Sequence, residues 1–135
     1  MRKIKYFILF IITTLLIVGC SGSSEIRKKW NVEDANGNTY VMDITDKEIT
    51  ISNEKNKDRM TYTQNAKGTS NGIKYFGLIV NNEKFSIIFP DKTNTDLALF
   101  LKIENDDYLS GALVYAMNTK GEPNYKEYAH KFLEK

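Results

Sequence analysis

The chain has 135 residues, of which 19 are basic and 17 acidic, and it contains one histidine and one cysteine. Charges of both signs are interspersed, which excludes a nucleic-acid-binding protein because such a protein presents a basic stripe. One histidine and one cysteine are too few to build a zinc or copper site, so we expect no metal and no cofactor.

The amino end has the pattern of an export signal. Residues 1–5 carry three cations, and residues 6–18 follow as a stretch that is nearly all apolar. This length is typical of the apolar region of a signal peptide and is short for a membrane span, which takes about 20 apolar residues. We therefore expect residues 1–19 to be a lipoprotein signal peptide and not a retained membrane helix.

Residues 17–20 read Ile-Val-Gly-Cys, a lipobox that ends on the only cysteine of the chain. A diacylglycerol group on the Cys20 thiol, with about 14 methylenes per acyl chain, provides on the order of 20 kcal/mol of membrane attachment. We expect lipidation of Cys20, with the diacylglycerol as membrane contact, and a place on the extracytoplasmic face of the cell membrane. The alternative is a secreted protein that carries a cysteine at its signal boundary.

Cleavage after Gly19 leaves 116 residues, which suits one domain. This mature chain carries 16 basic and 17 acidic side chains. With Cys20 lipidated it has no free thiol, so packing alone must stabilise it. We expect a flexible tether over residues 20–26 and a single β-rich domain over residues 27–135. The basic cluster at residues 27–29 either contacts an anionic leaflet or is the solvated start of the first strand.

Apolar and polar residues alternate along most of the domain, and turn residues interrupt the pattern at regular intervals. This pattern predicts about eight strands in an antiparallel meander. The predicted strands cover residues 28–34, 38–44, 48–52, 60–64, 73–80, 84–89, 97–103 and 108–117. Between them we expect a solvated loop at residues 54–58 and a flexible loop, open to a ligand or partner, at residues 66–72.

The meander predicts a mainly β fold, either a small lipocalin-like barrel or a strongly curved sheet. Its interior is either filled by side chains or holds one small ligand. A C-terminal α-helix is predicted over residues 124–134, because Asn124 is a good N-cap and apolar residues follow at helical spacing. We expect this helix to pack on the sheet or to close one end of the barrel.

Catalytic patterns are weak. Carboxylates are available for a cell-envelope hydrolase or transferase, which is the alternative function, but most occupy turn positions. These acidic residues are Asp43, Asp46, Glu48, Asp91, Asp96, Glu104, Asp106 and Asp107. The pair at residues 106–107 is either a weak calcium site or an ordinary turn. His130 is interpreted as a surface residue or a helix C-terminal cation. An enzyme is thus the less favoured prediction.

Tyrosines are the remaining candidates for recognition. Five of them are predicted to lie in strands: Tyr40, Tyr62, Tyr75, Tyr108 and Tyr115. Tyrosine offers apolar area and a hydroxyl group, so a cluster at one barrel end would contact a protein, a glycan or a small apolar ligand. The competing interpretation is ordinary packing, because tyrosine is enriched in strands. The leading hypothesis is a membrane-anchored binding or interaction module whose ligand is unidentified.

Four segments carry a family resemblance: residues 29–30, 86–90, 115–118 and 123–129. Their sequences, Lys-Trp, Ser-Ile-Ile-Phe-Pro, Tyr-Ala-Met-Asn and the stretch from Pro123 to Ala129, resemble small surface lipoproteins of streptococci and related low-GC Gram-positive bacteria. The resemblance implies a lipid-anchored surface location and a β-rich fold. It implies no active-site residue and leaves the function open.

Overall fold

The computed structural model describes residues 21–134, so the predicted signal peptide and Cys20 lie outside the described residues. The described chain is mainly β, as predicted, with nine strands in a single antiparallel sheet. The strands are β1 Lys29–Glu33, β2 Thr39–Ile44, β3 Glu48–Ser52, β4 Lys57–Thr61, β5 Thr63–Ser70, β6 Ile73–Val80, β7 Glu83–Phe89, β8 Leu97–Lys102 and β9 Ala112–Asn118. A short helix, α1 Tyr125–Tyr128, follows and continues into a π-helical turn, Ala129–Leu133.

The sheet curls into a half-barrel. Its strand order is β4-β3-β2-β1-β9-β8-β7-β6-β5. Strands that are consecutive in sequence therefore pair with each other, except β4 and β5, and β1 pairs with the distant β9. The strands at the two ends of this order, β4 and β5, are joined through Tyr62 alone. The chain thus passes from one edge strand of the sheet to the other at a single residue. Of the two predicted forms, a small barrel or a strongly curved sheet, the structure has the strongly curved sheet.

Two predicted loops are partly strand. Lys57 and Asp58, expected in a solvated loop, pair with β3 at the open end of the sheet. Most of the predicted flexible loop at residues 66–72 belongs to β5, which is polar because only one of its sides is covered by the sheet. Gly68 in this strand lets the Tyr75 ring lie close to the backbone, since a Cβ would come within 2.5 Å of the Tyr75 hydroxyl.

The last strand begins later than predicted. It starts at Ala112, and Tyr108 lies in the preceding turn. Side chains stabilise that turn, because Asn105 accepts from the Asp107 amide at 2.9 Å and Asp107 accepts from the Leu109 amide at 3.2 Å. Local hydrogen bonds from Asn and Asp compete with strand pairing, which explains the shorter strand.

Apolar side chains fill both faces of the central strands. The concave face contains Trp30, Met42, Phe76 and Leu78, all essentially inaccessible to solvent. The convex face of β6–β9 forms a second cluster around Leu99 that the C-terminal segment covers. The half-barrel therefore has a filled interior over most of its length and a second small core outside.

The C-terminal helix packs on the convex face of the sheet. Asn124 caps it as predicted, with its side chain accepting from the Glu127 amide at 2.9 Å. The predicted α-helix over residues 124–134 is corrected in length, because regular α-helix ends at Tyr128. Burial of Tyr128, whose hydroxyl accepts from the Asn118 amide group at 3.2 Å, holds the segment on the sheet.

The segment before β1 is docked on the domain. The Gly22 amide donates to the Asp46 carbonyl at 2.9 Å, and Ser23 and Gln64 exchange two hydrogen bonds of 2.8 Å. Ile26 is fully buried in the concave core. For residues 21–26 the expectation of a flexible tether is therefore corrected. The polar composition of the segment predicts flexibility, but backbone pairing and one buried side chain hold it on the domain. No helix within residues 21–134 is long and apolar enough to cross a membrane.

Candidate functional site

An apolar cavity lies where the half-barrel fails to close. It measures about 150 Å³, and all eight residues that line it are aliphatic or aromatic. These residues are Ile49, Ile51, Met60, Val80, Phe85, Phe100, Val114 and Tyr115. We call this cavity and its opening the notch.

The topology of the sheet explains the notch. β4 pairs with β3 only, and its Met60 lines the cavity together with Val80 and Phe85 of the β6–β7 hairpin, with which β4 does not pair. Asn81 and Asn82 turn that hairpin with positive φ values of 52° and 64°. The side chains of Val80 and Phe85 flank this turn and form one wall, while Ile49 and Met60, directly opposite each other in β3 and β4, form the other.

The cavity opens through a wider mouth of about 410 Å³. Ile51, Met60 and Tyr115 line both spaces, so the mouth and the cavity adjoin at these side chains. The mouth adds polar groups: Tyr40, Asn56, Asp58 and Arg59. Asp58 pairs directly with Ile51 across the β3–β4 ladder and therefore shares the face of the sheet that lines the cavity.

Two predicted tyrosines meet at the mouth. The rings of Tyr40 and Tyr115 are edge to face with centroids 6.3 Å apart, and Tyr115 continues to Phe100 at 6.0 Å. Burial raises the pKa of Tyr115, and the nearby Tyr40, Asp34 and Asp58 raise it further. The Tyr115 phenol is therefore neutral at physiological pH and presents a hydrogen-bond donor.

The other three predicted tyrosines lie elsewhere. Tyr62 is buried at the corner between β4 and β5 and donates to the Thr45 carbonyl at 2.5 Å. Tyr75 and Tyr108 stack on the convex face with centroids 4.9 Å apart and an angle of 6°. The buried Ser86 hydroxyl donates to the Tyr108 carbonyl at 2.6 Å and holds that stack on the sheet. A single cluster of five tyrosines therefore does not form.

Most of the notch was missed by sequence analysis. Phe85, Phe100 and Val114 lie in central strands, where alternation reports which face a side chain occupies and not whether that face is fully covered. One signal was present in β4, where a charged residue, Asp58, occupies the same face as Met60. An inward-pointing charge is typical of a strand at the edge of a sheet.

A second concavity of about 600 Å³ lies on the outer side of β1–β3. Polar side chains, Asn31, Ser52 and Lys55 among them, share its lining about equally with apolar surface, and Val41, 41% exposed, contributes to the apolar part. A wide, open depression excludes water from a ligand far less than the notch does.

The predicted carboxylates show no catalytic arrangement among residues 21–134. Hydrogen bonds from the hydroxyls of Thr93 and Thr119 lower the pKa values of Asp91 and Asp96 respectively, the opposite of what a general acid requires. No group of three possible metal ligands comes together in this part of the chain. Asp106 binds Lys84 at 3.0 Å, and Asp107 accepts from a turn amide, which fits the ordinary-turn interpretation of this pair.

Comparisons of the chain with protein-family models, with curated proteins and with solved structures found no match. The resemblance to small surface lipoproteins is therefore carried by its four segments alone and stays a prediction.

Proposed function

We propose that this chain is a lipoprotein of the extracytoplasmic membrane face and that its domain is a binding module. The anchor is a diacylglycerol group on Cys20, supported by the lipobox at residues 17–20. The module takes one apolar or aromatic group into the notch. This group belongs either to a small ligand or to a protein or glycan-linked partner at the surface.

The observation that carries the binding role is the apolar cavity of about 150 Å³ beside a mouth that carries polar side chains. A dry cavity of about this size, lined by aliphatic and aromatic side chains, accepts a benzene-sized molecule. Pockets for whole drug-sized ligands measure about 300–1,000 Å³, so the cavity alone fits one ring or branched alkyl group. Tyr40, Asp58 and Tyr115 at the mouth supply polar groups for the rest of the ligand.

The energetics favour a group that is aromatic and carries a hydroxyl. Burial of one such apolar group provides about 1.5–3 kcal/mol, and a hydrogen bond at the mouth adds about 0.5–1.5 kcal/mol. The neutral Tyr115 phenol donates, and the Asp58 carboxylate accepts. Phenol is therefore a suitable probe, with an expected Kd between about 0.5 and about 30 mM.

Methionine methyl signals offer a direct test. Met60 lines both the cavity and its mouth, while Met42 and Met117 are fully buried and line neither of them. In the full lipidated protein with isotope-labelled methionine methyl groups, phenol should shift the Met60 signal saturably and leave the Met42 and Met117 signals in place. Equal movement of all three, or none, contradicts the proposed site.

Two matched substitutions sharpen this test. Val114→Phe places a ring inside the cavity and should abolish the Met60 response to phenol. Val41→Phe makes the same change at an exposed position on the other side of the sheet and should leave the response intact. Loss of the response in both variants, or in neither, counts against the notch.

The anchor has its own experiment. Cys20→Ala should remove metabolic palmitate labelling and release the protein from the membrane fraction, because the thiol that carries the diacylglycerol is gone. Cys20 is the only cysteine, so no second thiol is available for acylation. Labelling that persists in the variant contradicts the lipoprotein proposal.

A further inference from the structure

We infer that the domain sits on the membrane in one orientation, with the turn at residues 45–47 against the lipid surface and the notch opening away from it. The inference rests on the proposed lipid anchor at Cys20. It goes further because an anchor by itself leaves a domain on a flexible tether free to rotate. The partner of this surface is the lipid bilayer itself.

The link between the proposed anchor at Cys20 and the folded domain is short. Gly22 already hydrogen-bonds to the Asp46 carbonyl, and its α-carbon lies against the Tyr62 ring. Position 20 is two peptide bonds away, and consecutive α-carbons are about 3.8 Å apart, so the anchor lies within about 8 Å of Gly22. A free tether over residues 20–26 would reach about 15 Å, at about 5–6 Å times the square root of its length.

The docked segment also has the hydrogen bonds and burial needed to stay in place. Ser23 and Gln64 exchange two hydrogen bonds of 2.8 Å, and the Trp30 indole donates to the Ile26 carbonyl at 3.1 Å. Ile26 is fully buried beside Trp30. Undocking would expose this side chain and break these bonds, so the point of attachment is part of the folded domain.

The strand directions place the anchored turn and the mouth of the notch at opposite ends of β3. Antiparallel pairing places the β2–β3 turn, which contains Asp46 and Lys47, at one end of β3 and the β3–β4 turn at residues 53–56 at the other. With a rise of about 3.3 Å per residue, the two turns are about 20 Å apart. Gly22 contacts the first turn, whereas the mouth of the notch includes Asn56 from the second.

Charge adds a smaller contribution at the anchored end. Arg27 and Lys47 are exposed there and are attracted to an anionic leaflet by about 1 kcal/mol each. Asp46 lies in the same turn and offsets part of this attraction, so the covalent anchor dominates the orientation. An occupant of the notch consequently arrives from the aqueous side and not from the lipid of the same membrane.

Two lysines form a matched pair for the test. Lys47→Cys and Lys55→Cys change the same residue type in exposed hairpin turns at the two ends of β3. The lipidated full chain has no other free thiol, so a fluorescent maleimide labels one site in each variant. Each protein is inserted into phosphatidylcholine–phosphatidylglycerol vesicles that contain a lipid with a nitroxide headgroup, which quenches only nearby fluorophores.

The expected result is several-fold stronger quenching at position 47 than at position 55. A Gly-Ser linker inserted between Cys20 and Ser21 should reduce this difference, because it restores rotation. Equal quenching at the two positions, stronger quenching at position 55, or a difference unchanged by the linker overturns the inference. Flotation of the protein with the vesicles distinguishes the proposed anchor from the proposed orientation. A protein that fails to float lacks the anchor. A protein that floats but shows equal quenching at the two positions has the anchor and lacks the fixed orientation.

Discussion

Gly22 lies directly against the phenol of Tyr62, so closely that a Cβ at position 22 would overlap the Tyr62 hydroxyl. The same hydroxyl donates to the Thr45 carbonyl at 2.5 Å, and the Gly22 amide donates to the Asp46 carbonyl at 2.9 Å. One glycine and one tyrosine thus join the N-terminal segment, the β2–β3 turn and the corner between β4 and β5. The absence of a side chain at position 22 permits this junction.

Gly22→Ala is expected to destabilise the domain by about 1–3 kcal/mol, because an added methyl group in a packed site forces its neighbours to move. Urea unfolding followed by the fluorescence of Trp30, the only tryptophan, measures the loss. Gly121→Ala is the matched control, since the nearest atom to a Cβ there lies 4.0 Å away. Equal stability of the two variants would show that the Gly22 contact is loose.

The stability of the domain should fall at high pH because of Tyr62. Burial is the main cause that raises its pKa from 10.0 to about 12; nearby Asp46 also raises it, and Arg27 opposes the rise. The folded state then holds a proton that the unfolded chain releases. The stabilisation is complete below pH 10.0 and is lost as the pH rises toward about 12. Tyr62→Phe should show a smaller decrease in unfolding free energy across this window, and an identical decrease would assign the effect to other groups.

Tyr115→Phe should separate the two parts of ligand recognition at the notch. The ring still packs on Phe100 and Tyr40, but the hydroxyl donor is gone. Loss of one hydrogen bond of about 0.5–1.5 kcal/mol weakens phenol binding by about 2- to 12-fold. Toluene, which accepts no such bond, should bind the variant and the wild type equally, as followed by the Met60 methyl signal. A parallel loss for both probes would indicate that the ring and not the hydroxyl had been disturbed.

Ser86→Ala tests the convex face. The buried Ser86 hydroxyl donates to the Tyr108 carbonyl at 2.6 Å, and its removal leaves that acceptor without this bond, at a cost of about 1–3 kcal/mol. The same urea experiment measures the change, and hydrogen exchange should report faster exchange of the Leu109 amide in this turn. Ser110→Ala, an exposed change in the same loop, should have little effect. Unchanged stability in Ser86→Ala would mean that the Ser86 hydrogen bond contributes little to holding the loop.

Much of the strand pattern was readable from the sequence because the signals are local. Alternation identified β2, β3 and the β6–β7 hairpin, and Asn124 marked the start of α1. Polar strands give no such signal. Residues 66–70 of β5 are predicted as a loop, because an edge strand with one solvated side lacks apolar alternation. Tyr108 is predicted to lie in a strand but lies in a turn. The side-chain hydrogen bonds that form this turn depend on the exact backbone geometry, which alternation does not report.

The sequence by itself determined the chemistry of the predicted anchor, the β class of the domain and the face on which most strand residues lie, since each follows from neighbours along the chain. Tertiary structure alone decided that β1 pairs with β9, that the sheet stops short of closure beside β4, and that Tyr40 meets Tyr115 at the resulting notch. Tertiary contacts also hold residues 21–26 on the domain, although the polar composition of this segment predicts a flexible tether. These features depend on contacts between segments that are distant in sequence. Side-chain packing and the curvature of the sheet decide such contacts, and the periodicity of apolar residues along the chain carries no information about them.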